Sequence, residues 1–410
     1  METVQLTLDA IFHERVGRAQ KQYEYIQDLY DLPRLQYLQH TSGQSLQYLS
    51  QKNGFVILVL YSHDSKVYTM YDSGNRELPG ASMSSTDDTY DGIQKALRRV
   101  WDGIEIRDVQ PILFMDNTFC HKDQAHTMNG IVYAARVPNP EQCEISGRWE
   151  FFSLTNDFIE GVQKYGNKDI LSYIAQHILH KLPIHHIDRQ DDEIETNAAM
   201  RTRYIVHRIL CKPLLSLLWL NKNHHIKQRI DQQCKWADRV IDVSCGDDST
   251  IMRLARDPHR LVVANDISWS QLELSHKHQD NILFTNHNAS SLPFKQQTFD
   301  IAICKNTLHH MPHRAKLLET LQTLKRIAKS IIIVEIENPQ HTGGFAYWLH
   351  QIWYRWFLKD VWGAYLGKKQ FHDLIEHAFG ATHCIESTSF HTWQGTYLAT
   401  VISPEQHHSE

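Results

Sequence analysis

Apolar runs of strand length alternate with amphipathic stretches in the second half of the chain. The apolar runs from residue 239 onward are RVIDVS, RLVVANDIS, NILFTNHN, FDIAICK and SIIIVEIE. Between them lie sequences with helical periodicity, such as RAKLLETLQTLKRIA. Continuous apolar strands separated by helices are typical of a parallel sheet that is covered on both faces. The pattern therefore predicts an α/β domain over residues 233–410, with a mainly parallel sheet.

The first half of the chain has a different pattern. Residues 54–150 contain short β-rich runs (GFVILVLYS, PILFMD, GIVYAARV) with turns and one helical stretch between them. Residues 155–232 are mostly helical in pattern. We therefore expect three parts: an α+β domain over residues 1–158, a helical connector over 159–232 and the α/β domain over 233–410.

Composition and charge narrow the class of protein. Hydrophobic residues make up 42% of the 410 residues, charged residues make up 22%, and the formal net charge is −5. Such a chain is globular. Acidic and basic residues are well mixed, so a basic footprint for nucleic acid is not expected.

The cysteines and the amino-terminal segment indicate a cytoplasmic protein. Seven cysteines are scattered without a C-x-x-C pair, which favours reduced thiols over a disulfide framework or a zinc site. The first segment, METVQLTLDAIFHER, has no apolar core of a signal peptide. The most apolar stretch, ILCKPLLSLLWL, is short for a membrane span and contains Lys212 and Pro213. The paired histidines lack ligand spacing, so no metal site is expected.

Polar residues follow the apolar runs where a parallel sheet binds its ligands. Asp242 ends the first run, and the loop SCGDDS that follows contains one glycine, Gly246. Asp266 ends the second run, where a carboxylate can accept both hydroxyl hydrogens of a ribose. Asn288 follows the third run and could meet an adenine edge. These residues predict a nucleoside-type ligand at the carboxyl ends of the strands.

These strand ends, in this order, resemble the class I S-adenosylmethionine-dependent methyltransferases, in the branch that methylates quinones and other small molecules. The matching elements are Asp242 with Gly246, then Asp266, then NASSLPF followed by FD, and then LHHM. The resemblance covers roughly residues 200–402. It implies a Rossmann-like fold, S-adenosylmethionine as cofactor and methyl transfer to a small-molecule acceptor.

The resemblance also assigns cofactor-binding positions, and three of them depart from the family pattern. Ser244 and Asp248 stand where glycines are usual, and Asn288 replaces an aspartate. The implied contacts run from the methionine moiety through the ribose and adenine to the reactive end, with one residue from the preceding helices: Asp242, Ser244, Gly246, Asp248, Asp266, Ile267, Asn288, Ala289, Lys305, Asn306 and Tyr204.

Two histidines are candidates for the catalytic base. His309 and His310 follow the fourth apolar run directly, and imidazole titrates in the range that a general base needs. The alternative is that one of them packs or caps and the other is solvated. Residues 343–366 repeat aromatic residues at helical spacing, so we expect them either to shape a site for an aromatic or apolar acceptor or to pack as core.

A second resemblance lies in ELPGASMSSTDDTYDGIQKALRRVWDGIEI, residues 77–106. It resembles a degenerate Nudix box and extends over about residues 50–158. The positions of the family's magnesium-binding glutamates hold Arg99, Asp102 and Gly103, which implies a Nudix-like domain without hydrolysis. Nearby acidic residues, 87, 88 and 91, form either a weak replacement site or helix-start charges. Ligand binding, shaping of substrate entry and a homodimer contact all stay open as roles.

Four other functions compete with methyl transfer as interpretations of the sequence. The same fold can transfer or cyclise the aminocarboxypropyl group of S-adenosylmethionine, which leaves methylthioadenosine instead of S-adenosylhomocysteine. Two degenerate motifs in one chain also fit a non-catalytic binding or scaffold protein. Nudix hydrolysis would depend on magnesium and on Asp102. RNA methylation is disfavoured by the acidic balance.

Overall fold

The computed structural model divides the chain into two compact units, Met1–Ile187 and Asp188–Glu410. The structure describes residues 18–40, 42–49, 51–62, 66–72, 75–100, 106–138, 149–153, 167–173, 175–176, 224–246, 250–269, 271–272, 279–311, 313–338, 348, 352, 365–380, 383–392 and 395–404. Most of the predicted helical connector lies outside these ranges. The predicted domain boundaries stay predictions.

The first unit combines helices with a mixed sheet. Its elements in chain order are α1 (Arg18–Leu29), β1 (Arg34–His40), α2 (Gly43–Leu49), β2 (Gly54–Tyr61), β3 (Lys66–Asp72), β4 (Asn75–Glu77), β5 (Gly80–Met83), α3 (Thr89–Val100), β6 (Arg107–His121), β7 (Gln124–Arg136), β8 (Trp149–Ser153) and α4 (Asn167–Tyr173). The β-rich runs of the sequence are therefore confirmed as strands.

The sheet of the first unit has the order β1-β6-β7-β2-β3-β4, with β5 paired to β2 and β8 paired to β3. The β6–β7 hairpin is antiparallel, whereas β2 runs parallel to β7. Nearly every position of β2 is buried, because the strand lies inside the sheet with apolar side chains on both faces. Helix α3 packs so closely that a Cβ on Gly92 would lie 2.8 Å from Val56 Cγ2, so this position requires glycine.

Three acidic residues before and within α3 stabilise the start of that helix. Asp88 Oδ1 accepts a hydrogen bond from the Asp91 N–H at 2.8 Å, and Asp91 Oδ2 accepts one from the Asp88 N–H at 3.0 Å. This reciprocal pair is a capping box, which satisfies backbone donors that the first turn leaves open. Asp87 instead pairs with Lys95 at 2.5 Å. The Asp88 and Asp91 carboxylates therefore cap the start of the helix, and Asp87, which precedes the helix, forms an ion pair with Lys95 within it.

The second unit alternates strands and helices. Its elements are α5 (His224–Gln233), β9 (Arg239–Asp242), α6 (Thr250–Leu254), β10 (Leu261–Asn265), β11 (Ile282–Thr285), β12 (Phe299–Lys305), α7 (Arg314–Ile327), β13 (Ala328–Ile336), α8 (Lys368–Phe379), β14 (His383–Thr392) and β15 (Gly395–Pro404). Short 3-10 turns lie at Cys234–Trp236, Ala289–Ser291 and Leu308–His310.

The second sheet has the order β11-β10-β9-β12-β13-β15-β14. Neighbouring strands from β11 to β13 are parallel, and only β15 runs against its two neighbours. The prediction of a mainly parallel sheet is confirmed. The strand order reverses between β9 and β12, and this switch point is where open α/β sheets bind ligands.

No helix in the described part of the chain is long and apolar enough to cross a membrane.

Candidate functional site

The predicted site residues converge on one edge of the second sheet. Strands β11, β10, β9 and β12 are adjacent and parallel, so their carboxyl ends meet at the same edge. The loops that leave these four ends carry all the predicted site residues that the structure describes. Asp248 and Tyr204 lie outside the described residues.

The loop after β9 turns sharply beside the switch point. Asp242 is 1% exposed, and its Oδ1 accepts a hydrogen bond from the Ser244 N–H. The Ser244 hydroxyl donates to the Val243 carbonyl at 2.9 Å, so it serves the loop itself. Gly246 has a φ of +48°, and a Cβ there would meet nothing within 4 Å. The left-handed backbone favours glycine, and the open space leaves room for a ligand close to the chain.

Asp266 directly connects the loop after β9 with the end of β10. Its Oδ2 accepts the Gly246 N–H at 2.8 Å, and its Oδ1 accepts the Ser268 N–H at 2.9 Å. Burial raises the pKa of this carboxyl, and the hydrogen bonds from Ser268 and Gly246 and the charge of His310 offset part of that rise. Each oxygen keeps acceptor capacity for a further donor.

A buried asparagine at the end of β10 ties two loops of this edge together. Asn265 is 0% exposed and uses all of its side-chain hydrogen-bonding groups. Its Nδ2 donates to the Val243 and His287 carbonyls, both at 2.9 Å. Its Oδ1 accepts from the His287 N–H at 2.9 Å and from the Thr285 hydroxyl at 3.1 Å. The loops after β9 and β11 are therefore fixed relative to β10.

The turn after β10 presents an exposed apolar side chain next to Asp266. Ile267 is 44% exposed, which is unusual for a large aliphatic residue beside a buried sheet edge. Behind the turn, Asn286 is 1% exposed, and its Nδ2 donates to the Asp266 and Ile267 carbonyls, both at 2.8 Å. The turn thus offers a carboxylate and an apolar surface side by side.

The loop after β11 begins with a capped 3-10 turn. Asn288 is its N-cap, and its Oδ1 accepts from the Ser290 N–H at 3.0 Å and from the Ser290 hydroxyl at 2.9 Å. Ala289 is buried immediately behind it. Because the side-chain oxygen serves the cap, Asn288 has its amide N–H groups to offer a ligand.

The end of β12 carries a buried polar atom without a partner. Asn306 has a φ of +52°, and its Oδ1 is buried without a hydrogen bond. Leaving such an acceptor unsatisfied costs about 1–3 kcal/mol. The preceding Lys305 is half-buried. A polar ligand at this edge would supply the missing donor.

His309 forms a short contact with a carboxylate that the sequence analysis did not single out. His309 Nδ1 lies 2.6 Å from Glu335 Oε1, and the two residues are 6% and 1% exposed. Glu335 also accepts the Leu308 N–H at 2.9 Å and the Ile336 N–H at 2.8 Å. Burial opposes its ionisation, but the charge and hydrogen bond of His309 and the Ile336 N–H outweigh burial and hold the pKa of Glu335 below its usual value. The carboxylate is therefore ionised, and Nδ1 carries the proton that joins the pair.

Two further rings lie against His309. Tyr365 stacks on it with ring centroids 5.0 Å apart and an interplanar angle of 15°. The ring of His310 lies 4.1 Å away, tilted by 40°. His310 itself is exposed, so the two histidines are not equivalent: one is held by a buried carboxylate, and the other faces solvent.

Three residues of this edge were missed by the sequence analysis. Glu335 interrupts the apolar run SIIIVEIE, and a lone carboxylate inside such a run is the signal that could have found it. Asn265 and Asn286 had no comparable signal, because asparagine near a strand end is common in turns. Of the aromatic stripe at residues 343–366, Trp348 and Ile352 are described and are exposed by 54% and 40%. Tyr365 and Leu366, at the end of the same range, are also described, and the rest of the range lies outside the described residues.

The chemistry of this edge fits an adenosyl-sulfonium cofactor. A buried carboxylate with spare acceptor capacity, an exposed isoleucine beside it, an open left-handed glycine and an orphaned amide oxygen lie on adjacent loops: Asp266, Ile267, Gly246 and Asn306. The carboxylate suits ribose hydroxyls, and the isoleucine suits an adenine face. The glycine allows the ligand to approach the backbone closely, and the amide oxygen can accept a hydrogen bond from a cationic or hydroxyl donor.

Comparison with known proteins also indicates a methyltransferase domain in this part of the chain. Residues 240–330 match the family model described as "Methyltransferase domain". The chain is 30% identical over 83 residues to 27-O-demethylrifamycin SV methyltransferase of Amycolatopsis mediterranei, and the match covers 19% of this chain and 30% of that protein. It is 22% identical over 199 residues to demethylmenaquinone methyltransferase of Lactiplantibacillus plantarum, covering 46% of this chain and 78% of that protein.

Among solved structures, an S-adenosylmethionine-dependent methyltransferase of Methanosarcina mazei is similar with a TM-score of 0.34 and 16% identity, covering 43% of this chain and 97% of that one. The family model and the two relatives show that the second unit contains a methyltransferase domain that uses S-adenosylmethionine. The strand order of the second sheet is Rossmann-like. The contacts of individual residues with that cofactor stay predictions.

The Glu335 carboxylate gives a pH-dependent prediction. Its pKa is lowered in the fold from an ordinary value of 4.5, so its stabilisation is complete above about pH 4.5 and is lost as the pH falls through the lower folded value. We expect Glu335→Gln to lower the free energy of unfolding by about 1–3 kcal/mol at pH 7. The gap to the wild type should narrow below pH 4.5 in denaturant titrations at stepped pH.

Glu337 offers a matched control two residues further along. Its carboxylate is partly exposed and accepts a hydrogen bond from the Lys368 N–H at 3.3 Å. Glu337→Gln should change stability little at any pH. A stability gap for Glu335→Gln that does not vary with pH would contradict the assignment of an ionised buried carboxylate.

Proposed function

We propose that the protein transfers the methyl group of S-adenosylmethionine to a small molecule whose nucleophilic atom carries an acidic proton, such as an aromatic hydroxyl or a hydroquinone. The observation that supports this acceptor class is the contact between His309 Nδ1 and Glu335 Oε1 at the cofactor edge. A buried, carboxylate-held imidazole is suited to remove a proton, and an acceptor without one would not need it.

The cofactor would lie along the strand ends in the order of the sequence prediction. Asp242, Ser244 and Gly246 would frame its methionine moiety, and Asp266 with Ile267 would bind its ribose and adenine. The other contacts are assigned to Asn288, Ala289, Lys305 and Asn306, with Asp248 and Tyr204 as candidates beyond the described residues. When bound, S-adenosylmethionine supplies an activated methyl group on a sulfonium.

The chain's own contribution to the reaction is alignment and proton removal. The Nδ1–H group of His309 donates to the ionised Glu335. Nε2 is therefore the ring nitrogen that can take the proton from the methyl acceptor. Glu335 stabilises the imidazolium that results. Tyr365 and His310 both lie against the ring and restrict its orientation. In this scheme His310 has a supporting role, although it was predicted as an equal candidate.

The names of two relatives are compatible with such an acceptor. One acts on 27-O-demethylrifamycin SV and the other is a demethylmenaquinone methyltransferase. The exposed Trp348 and Ile352 add apolar surface from the stripe for which the sequence left two roles open, an acceptor site or core packing. We therefore infer an aromatic or apolar acceptor rather than a charged one.

The setting of the protein follows from the same sequence features. We infer a cytoplasmic protein that does not bind nucleic acid, because its charges are mixed and its cysteines lack disulfide spacing. In the described part of the chain, cysteines 120, 234, 245, 304 and 384 form no disulfide. A homodimer stays a prediction.

Cofactor binding and product identity test the reaction class. We expect S-adenosylmethionine to bind the wild type with micromolar affinity in calorimetric titrations, and Asp266→Ala to abolish that binding, because the ribose hydroxyls lose their acceptor. Turnover with an aromatic acceptor should release S-adenosylhomocysteine.

Other outcomes favour the alternatives. Release of methylthioadenosine would identify aminocarboxypropyl transfer or cyclisation instead. Binding without turnover across the acceptor screen, or no binding by the intact protein, would favour the scaffold function.

Kinetics of histidine variants test the base. His309→Ala should lower kcat by about 10²–10⁴-fold, the usual contribution of general base catalysis. Glu335→Gln should lower kcat as well and alter the pH–rate profile, because the imidazolium loses its counter-charge. His313→Ala, an exposed histidine at the start of α7, is the control and should leave kcat unchanged. Equal rates for wild type and His309→Ala would refute this role.

For the first unit, we propose a Nudix-like domain without hydrolytic activity. Support comes from the use of Asp88 and Asp91 in the capping box of α3 and of Asp87 in the pair with Lys95. The carboxylates that were candidates for a replacement magnesium site thus already bind backbone N–H groups or Lys95. Incubation with nucleoside diphosphates and magnesium should release no phosphate products, and Asp102→Ala should change nothing. Magnesium-dependent release that disappears in Asp102→Ala would overturn the proposal.

A further inference from the structure

One asparagine behind the site determines the shape of the turn that carries Asp266 and Ile267. Asn286 follows β11, the strand next to β10, and is 1% exposed. Its single Nδ2 group donates to two consecutive carbonyls, those of Asp266 and Ile267, at 2.8 Å each. Two successive carbonyls that point to one donor group fix the backbone dihedral angles between them. Asn286 therefore holds the turn from its buried side.

The opposite side of the same turn is held through the Asp266 carboxylate. The Gly246 and Ser268 N–H groups donate to its two oxygens at 2.8 and 2.9 Å. These bonds orient the carboxylate only if the backbone beneath it stays in place. A change in the turn would move the carboxylate and the exposed Ile267 side chain together, since both leave the chain at adjacent residues.

We propose that Asn286 is a positioning residue for S-adenosylmethionine: by holding the two carbonyls of this turn, it aligns the Asp266 carboxylate with the ribose and Ile267 with the adenine. This inference rests on the proposed function, because it assigns Asn286 to the adenosine end of the same site. Positioning residues act through the groups that touch the ligand, and their removal weakens binding without removing a contact.

The chain contains a matched control at the other end of the same strand, directly before β11. Asn281 lies at the amino-terminal end of β11, is 7% exposed and donates its Nδ2 to three carbonyls, those of Ala255, Asp257 and Arg260. It has the same side chain and the same type of bonds, but it lies at the edge of the sheet opposite the site. Asn281→Ala and Asn286→Ala should therefore destabilise the fold to a similar extent.

The test compares S-adenosylmethionine binding by the full chain and the two variants in calorimetric titrations, at a temperature where circular dichroism shows all three folded. We expect Asn286→Ala to raise Kd by about tenfold or more, the order of effect that removing a supporting hydrogen bond has on a metal ligand. Asn281→Ala should leave Kd within about twofold. If Asn286→Ala does not fold, Asn286→Asp, which keeps the size of the side chain but lacks the two N–H donors, should show the rise in the same titration.

Steady-state kinetics provide a second measurement that a merely structural role would not affect. Asn286→Ala should raise KM for S-adenosylmethionine and leave kcat nearly unchanged. The reason is that His309 lies after β12 and Glu335 near the end of β13, so neither depends on the turn after β10. Equal Kd values for wild type and Asn286→Ala, or equal rises in both variants, would overturn the inference while leaving the proposed function intact. Failure of the wild type to bind S-adenosylmethionine would instead overturn the proposed function.

Discussion

The site edge depends on the four hydrogen bonds of one buried amide. Asn265 joins the loop after β9 through the Val243 carbonyl and the loop after β11 through both backbone groups of His287. Burying an amide is costly unless every donor and acceptor is used, and Asn265 meets that requirement. Because Asn265 fixes both loops to β10, the Gly246 N–H can donate to Asp266. The space beside Gly246 stays open to a ligand, although the loop contains a single glycine.

Two buried carboxylates show how this edge separates two tasks. Burial is the largest influence on both Asp266 and Glu335, yet the pKa of the first is raised and that of the second is lowered. The difference lies in their partners: backbone N–H groups and a more distant His310 for Asp266, and a direct imidazole contact for Glu335. The first suits an acceptor of neutral hydroxyls, and the second suits a permanent counter-charge for His309.

In the first unit, the acidic residues near α3 serve the structure around the start of that helix. The acidic residues near α3 would be metal ligands in a site with free carboxylate oxygens. Here Asp88 and Asp91 bind each other's backbone, and Asp87 pairs with Lys95. Each negative charge near the start of α3 also stabilises the helix through its dipole, and this accounts for the acidic cluster.

The sequence by itself determined the strands, their parallel arrangement and the positions of the described cofactor candidates, because apolar runs and the polar residues that end them are local features. It also singled out His309 and His310 as a pair, since both follow a strand end directly. It could not distinguish His309 from His310 or find Glu335, Asn265 and Asn286. Those assignments depend on which side chains become buried partners across neighbouring strands, and hydrogen bonds between residues 20 or more positions apart are decided by tertiary structure alone.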